Sequence, residues 1–197
     1  PQVLARLRSL LDLDAEPWAI NPCMADDFPG ADGLRVPGCL DGFELGVRAI
    51  LGQQITVQAA RTLGARLVER LGGTLPTAPQ GLTRLFPTPT ALAQATGDEL
   101  GQMGIVRQRQ RAIQSLAQAV INGHVVLQPG VDVPATLDAL QALPGIGPWT
   151  AQYIAMRALR WHDAFVAGVV ALQTALGVRG AAHPQQAAET ASQHWKP

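Results

Sequence analysis

The stretch Leu140-Gln141-Ala142-Leu143-Pro144-Gly145-Ile146-Gly147-Pro148-Trp149-Thr150-Ala151 decides how the rest of this 197-residue chain is read. One helix stops at Leu143, before Pro144 and Gly145. Gly145 and Gly147 can take positive φ, and neither puts a side chain in the way of a close partner. Ile146 is an apolar plug that can anchor the turn in a core. Pro148 suits the first position of a new helix, where no N–H is needed. The new N-terminus would point free N–H groups and partial positive charge outward, a natural seat for phosphate. An ordinary Gly-Pro turn between two helices fits some of these residues. The full order of helix, apolar residue, Pro-Gly-Ile-Gly and second helix favours a nucleic-acid-binding hairpin at Leu140–Tyr153, inside a helix-hairpin-helix over 134–160.

Helical periodicity continues on both sides. Leu4, Leu7, Leu10 and Leu11 share a face. Phe43, Val47, Ile50 and Leu51 mark a helix over 43–53. Ala60, Leu63, Leu67 and Leu71 mark another that ends at Gly72-Gly73. Between the first two, residues 14–37 are rich in Pro, Gly and Asp and read as a long connection with at most a short helical turn. Residues 76–89 read as loop. Short helices follow at 90–94 and 97–102, then a longer one over 107–123. Residues 125–133 hold Val125, Val126 and Leu127, where a strand is possible, although one short apolar run makes no sheet. Helices over 134–143, 148–160, 168–176 and 184–194 complete an all-α chain.

Composition narrows the function. Hydrophobic residues make up 47% and charged residues 15%, which argues for a packed globular chain and against disorder. Fifteen basic and fifteen acidic side chains cancel. A nucleic-acid binder usually carries a basic excess, so any grip here must rest on local patches and backbone amides. Cys23 and Cys39 form no metal-ligand pattern, and with no secretory signal a disulfide is not favoured. His124, His162, His183 and His194 are scattered, which argues against zinc. No apolar run reaches the roughly 18 residues of a membrane span. The start at Pro1 and the end at Trp195-Lys196-Pro197 read as those of a fragment.

The chain resembles the helix-hairpin-helix DNA glycosylases, and within them the 3-methyladenine (alkylated-base) branch. The blocks that carry the likeness are Arg35–Glu44 (RVPGCLDGFE), Val47–Val57 (VRAILGQQITV), Phe86–Pro89 (FPTP), Leu143–Ala151 (LPGIGPWTA) and Trp195–Pro197 (WKP). The resemblance implies a two-lobed helical fold with a cleft between the lobes. One lobe would combine residues 1–41 with 162–197, and the other would span 42–161. Family members carry a further N-terminal β-rich domain and a longer C-terminal end, neither of which is expected here. The implied partner is double-stranded DNA containing alkylated bases, met by a monomer in a bacterial cytoplasm at the nucleoid, or in a nucleus if eukaryotic. The implied reaction is monofunctional base release by base flipping, because Pro148 and Trp149 stand where lyase-active relatives place a lysine. No cofactor is required, although the family holds a monovalent cation, K⁺ or Na⁺, on hairpin carbonyls that correspond to Gln141, Leu143 and Ile146.

Residue roles follow from the same resemblance. Leu143, Gly145, Ile146, Gly147 and Thr150 belong to the hairpin that meets phosphate. Gln53 and Gln54 occupy the turn that enters the minor groove and fills the gap left by the flipped nucleotide. Gln54 holds the wedge position, although a solvent-exposed loop fits as well. Trp149 and Tyr153 lie four apart on one helix face, either as core aromatics or as a pocket for a cationic alkylated base. Arg107, Arg109 and Arg111 alternate with glutamines near a helix start, Arg107 and Arg111 on one face, and meet either phosphate or solvent. Family sequences place the catalytic carboxylate in an Asp-x-Phe-x-x-x-Asp pattern. Here Asp163, Phe165 and Val169 take those places, so Val169 stands where the aspartate belongs. Valine cannot stabilise the positive charge that builds on the sugar. An impaired glycosylase and a non-catalytic lesion-binding module therefore both remain open.

Overall fold

The computed structural model describes residues 2–77 and 81–195. Residues 78–80 of the expected loop, and Lys196 and Pro197 of the last family block, lie outside the described residues. The described chain is all-α. Its helices are α1 (Gln2–Leu10), α2 (Pro17–Met24), α3 (Gly42–Leu51), α4 (Val57–Leu71), α5 (Pro89–Gln94), α6 (Gly97–Gln102), α7 (Arg107–Ile121), α8 (Val133–Gln141), α9 (Pro148–Ile154), α10 (Val170–Ala175) and α11 (Pro184–Ser192). A π-helical turn, Ala155–Leu159, extends α9, and a 3₁₀ turn, Gln193–Trp195, follows α11.

Local chemistry sets many of the starts. Asp41, Thr56, Thr88, Thr96 and Asp132 each accept the backbone N–H three residues on, which satisfies an otherwise orphaned donor. The central helix α3 then packs against α4, α7 and α9. Val47, Ile50 and Leu51 from α3 meet Leu67, Ile113, Leu116, Leu140 and Ile154 in a core closed to solvent. Ile146, the plug of the hairpin, is buried in that same core.

A second, smaller cluster is built from the chain ends. The helices α10 and α11 pack together. Trp195 donates its indole N–H to Asp27 at 2.8 Å, and its ring lies 5.6 Å from Phe28. The two clusters are joined by buried polar groups. The Asp12 side chain, 2% exposed, accepts from the Arg160 guanidinium and from Val36 N–H, and lies 3.0 Å from His162 Nε2. Arg160 also donates to the Ser9 and Val36 carbonyls.

Several sequence expectations need correction. Within 14–37, where the sequence allows a short turn of helix, the chain forms the eight-residue helix α2. Pro17 at its first turn is pre-shaped for helix entry. No strand forms at 125–133: Val125 is buried as a single residue, and Asp132 caps α8 at once. The only bridge among the described residues is Thr74 with Arg84. The helix expected over 148–160 stops being α-helical at Ile154 and widens into the π turn. The turn closes at Arg160, whose left-handed backbone (φ 64) sends the chain toward the second cluster. Cys23 and Cys39 are both free thiols.

Candidate functional site

The hairpin joins α8 to α9. Gly145 has φ +81, and a Cβ there would stand 2.9 Å from the Ala112 methyl on α7, so both backbone and packing demand glycine. Gly147 differs from expectation. Its φ is −89, and a Cβ would meet nothing within 4 Å. Nothing inside the protein requires glycine at 147; its bareness matters only to something arriving from outside. Gly147 caps α9 with no side-chain cap bond, so the first N–H groups of α9 take no cap from a side chain.

The turn after α3 is braced to this hairpin. Gln53 donates its amide to the Gly145 carbonyl at 2.9 Å and to Thr150 Oγ1 at 3.0 Å. Arg109, at the start of α7, donates to the Gln53 carbonyl. The side chains of Gln53 and Thr150 are therefore engaged in holding the turn, and the Thr150 side chain is buried. Gln54 projects from the tip, exposed and with φ 54, a left-handed backbone that a non-glycine residue adopts at a cost. Leu143 is half-buried, and its carbonyl accepts Ile146 N–H at 3.2 Å.

Trp149 and Tyr153 stack with centroids 5.5 Å apart and planes within 5°. They are not equivalent. The Arg157 guanidinium sits 5.8 Å from the Tyr153 centroid and reaches its hydroxyl at 3.3 Å. The electron-rich face of Tyr153 already meets a cation. Trp149 is 40% exposed. Two cavities open beside it. One, of about 440 Å³, lies toward α3 and α4 and includes Tyr153, Arg48 and Arg61. Arg48 is paired with Glu44 at 2.7 Å and lies over the Phe86 ring. The other, of about 250 Å³, lies toward α11 and includes Gln152, Phe165, Gly168, Gln185 and Glu189. Val169 is the residue immediately before α10, with no cap bond from its side chain. It does not line the smaller cavity, whereas its neighbour Gly168 does.

Arg107 and Arg111 line a separate groove of about 880 Å³ between α6 and α7, away from Trp149 and Tyr153. Near the π turn, burial and the neighbouring Asp41 push the Cys39 thiol above its usual value and so keep it protonated. No group of three or more acidic, histidine or cysteine side chains suited to a metal is found among the described residues. A cation on the hairpin would depend on neutral backbone oxygens, a donor set that suits a hard monovalent ion rather than zinc. The sequence offers no role for Asp12 or Glu189, and for Arg109, beside Arg107 and Arg111, only contact with phosphate or solvent. Each is an ordinary polar residue in a polar stretch, and only chain folding brings it beside its partners.

Comparisons with known proteins bear on the family and the fold. A family model described as "HhH-GPD superfamily base excision DNA repair protein" matches residues 47–197. A second, described as "AlkA N-terminal domain", matches residues 1–41, whose described part contains α1 and α2 and no strand. The chain is 37% identical over 199 residues to the "Probable bifunctional transcriptional activator/DNA repair enzyme AlkA" of Mycobacterium tuberculosis, covering 98% of this chain and 40% of that protein. It is 38% identical over 165 residues to "DNA-3-methyladenine glycosylase 2" of Escherichia coli, covering 84% of this chain and 58% of that one. The chain thus spans about half the length of these relatives. The apo 8-oxoguanine glycosylase/lyase of Clostridium acetobutylicum superposes with a TM-score of 0.77 at 17% identity, covering 96% of this chain and 69% of that one, which is a likeness of fold.

Proposed function

The chain belongs to the HhH-GPD superfamily of base excision DNA repair proteins, and from that premise we propose that it recognises alkylated bases in duplex DNA by flipping them toward Trp149. The observation that carries this reading is the half-exposed Trp149 ring on the hairpin's second helix, beside the exposed Gln54 tip and the bare amide end of α9. The hairpin grips a phosphate through the Gly147 end. Gln54 enters the stack, and the extruded base meets the tryptophan. The similarity to the Escherichia coli 3-methyladenine glycosylase supports alkylated bases as the target. Its bacterial relatives favour a bacterial setting, and action as a monomer at the nucleoid is part of the same proposal; no helix of the described residues is long and apolar enough to cross a membrane. A K⁺ or Na⁺ ion held by the carbonyls of Gln141, Leu143 and Ile146 would bridge the hairpin to the phosphate.

Base release is proposed to be weak. Val169 replaces the carboxylate that offsets charge on the sugar, and losing one such contact commonly costs about 10²–10³ in rate. A base-release assay on methylated duplex tests this. The expected result is selective binding of the alkylated duplex with little release, and a gain of about 10²-fold or more in release for Val169→Asp. Binding without any gain in the variant would remove Val169 from the site. Failure to prefer alkylated over undamaged duplex would remove the lesion-recognition reading as a whole.

A further inference from the structure

Resting on that reading of Trp149, we propose that Glu189 is the counter-charge that selects a positively charged, ring-alkylated purine in the cavity between α9 and α11. The two cavities beside Trp149 differ in charge. The larger includes Arg61 and Arg48, the latter paired with Glu44 at 2.7 Å, and no acidic residue is among its lining. A cationic base entering it would meet the like charge of Arg61, and Tyr153 on that side already faces Arg157. The smaller includes Glu189 and Gln185, both exposed at its rim, together with Gln152 and Trp149.

The geometry of the smaller cavity suits a flat, charged ring. Its volume of about 250 Å³ is below that of a drug-sized pocket and in the range of a single heterocycle. Trp149 lines one wall, and a cation–π contact would use the ring face that is not stacked on Tyr153. At Gly168 a Cβ would come within 3.9 Å of Trp149 Cδ1 and 4.0 Å of Gln185 Oε1, so the missing side chain keeps that wall open. The Gln152 carbonyl oxygen accepts Phe165 N–H at 3.2 Å, which fixes the amide and leaves its NH₂ group to donate. Gln185 donates to Glu189 Oε1 at 3.3 Å, which orients the carboxylate without neutralising it. On this geometry Glu189 acts on the charge of the base and is a specificity determinant. It does not restore the sugar-side carboxylate missing at Val169.

Charge can be separated from shape. One duplex carries 7-methylguanine, which is cationic, on a 2′-fluoro sugar that blocks base loss. A second carries 7-deaza-7-methylguanine, its neutral isostere, on the same sugar. The readout is the ratio of their affinities, alongside an undamaged duplex. The wild-type chain should favour the cationic base by about fivefold, the size of a partly solvated charge pair. Glu189→Gln, which keeps the shape and the Gln185 contact, should bring the ratio to about one. Glu189→Lys should invert it. A purely structural role for Glu189 would weaken both duplexes alike and leave the ratio intact, which would overturn the proposal. Equal wild-type preference for both alkylated duplexes over undamaged DNA would also overturn it, while leaving the lesion-recognition reading standing. No preference for either alkylated duplex would defeat that underlying reading instead.

Discussion

At the residue scale, the two hairpin glycines have different reasons to be glycine. Gly145 is required by its left-handed backbone and by Ala112, so Gly145→Ala should destabilise the fold by about 2 kcal/mol, measured by urea unfolding. Gly147 has an ordinary φ and open space, so Gly147→Ala should cost less than about 1 kcal/mol in the same experiment. Its expected effect is on DNA affinity, measured by fluorescence anisotropy. Retained affinity in that variant would mean that phosphate does not approach this point. Gln54 offers a complementary test. Gln54→Gly removes a strained side-chain position, so stability should stay within about 1 kcal/mol of wild type while affinity for lesion duplex falls. An unchanged affinity would remove Gln54 from the wedge position.

At the element scale, the turn after α3 and the hairpin act as one unit because Gln53 and Arg109 tie them together. The sequence placed Gln53 beside DNA; the structure shows its amide engaged with Gly145 and Thr150. Gln53→Ala should therefore loosen the turn, seen as faster amide exchange at Gln54 and Ile55 with the core amides unchanged. The short helix α6 carries its own pH response. Hydrogen bonds from the Thr96 backbone and then its hydroxyl hold the Glu99 carboxyl below its ordinary value. A depressed carboxyl contributes stability above its unfolded pKa and loses it as pH falls through the folded pKa. Acidification across the carboxylate range should fray α6 first, seen as faster exchange at Leu100 and Gly101, and Glu99→Gln should remove that dependence.

For the whole molecule, the deciding contact is Asp12 with Arg160 and His162. It joins the loop after α1 to the end of the π turn and to the start of the second cluster. Burying a charge pair stabilises little by itself, but removing one member leaves the other charge uncompensated. Asp12→Ala should therefore cost about 3–5 kcal/mol in urea unfolding, far more than a loop residue normally would. A loss below about 1 kcal/mol would show that the two clusters hold together without it. The proposed division into residues 1–41 with 162–197, and 42–161, places this contact at the junction of its two parts.

The sequence by itself determined the all-α class, the hairpin and the aromatic pair. Those features are local: apolar residues recur at helical spacing, Thr and Asp cap the helices that follow them, and Pro-Gly-Ile-Gly admits few backbones. It also raised the expectation, through the family resemblance, that Val169 takes the place of the carboxylate. Only the tertiary structure decided that Gly147 needs no positive φ, that Gln53 serves as a brace, and that Trp149 divides a cavity bearing guanidinium groups from one bearing Glu189. Those outcomes depend on residues many positions apart in the chain, such as Gln53 with Gly145 or Trp149 with Glu189. Short-range spacing carries no information about such partners; the packing of whole helices onto a shared core brings them together.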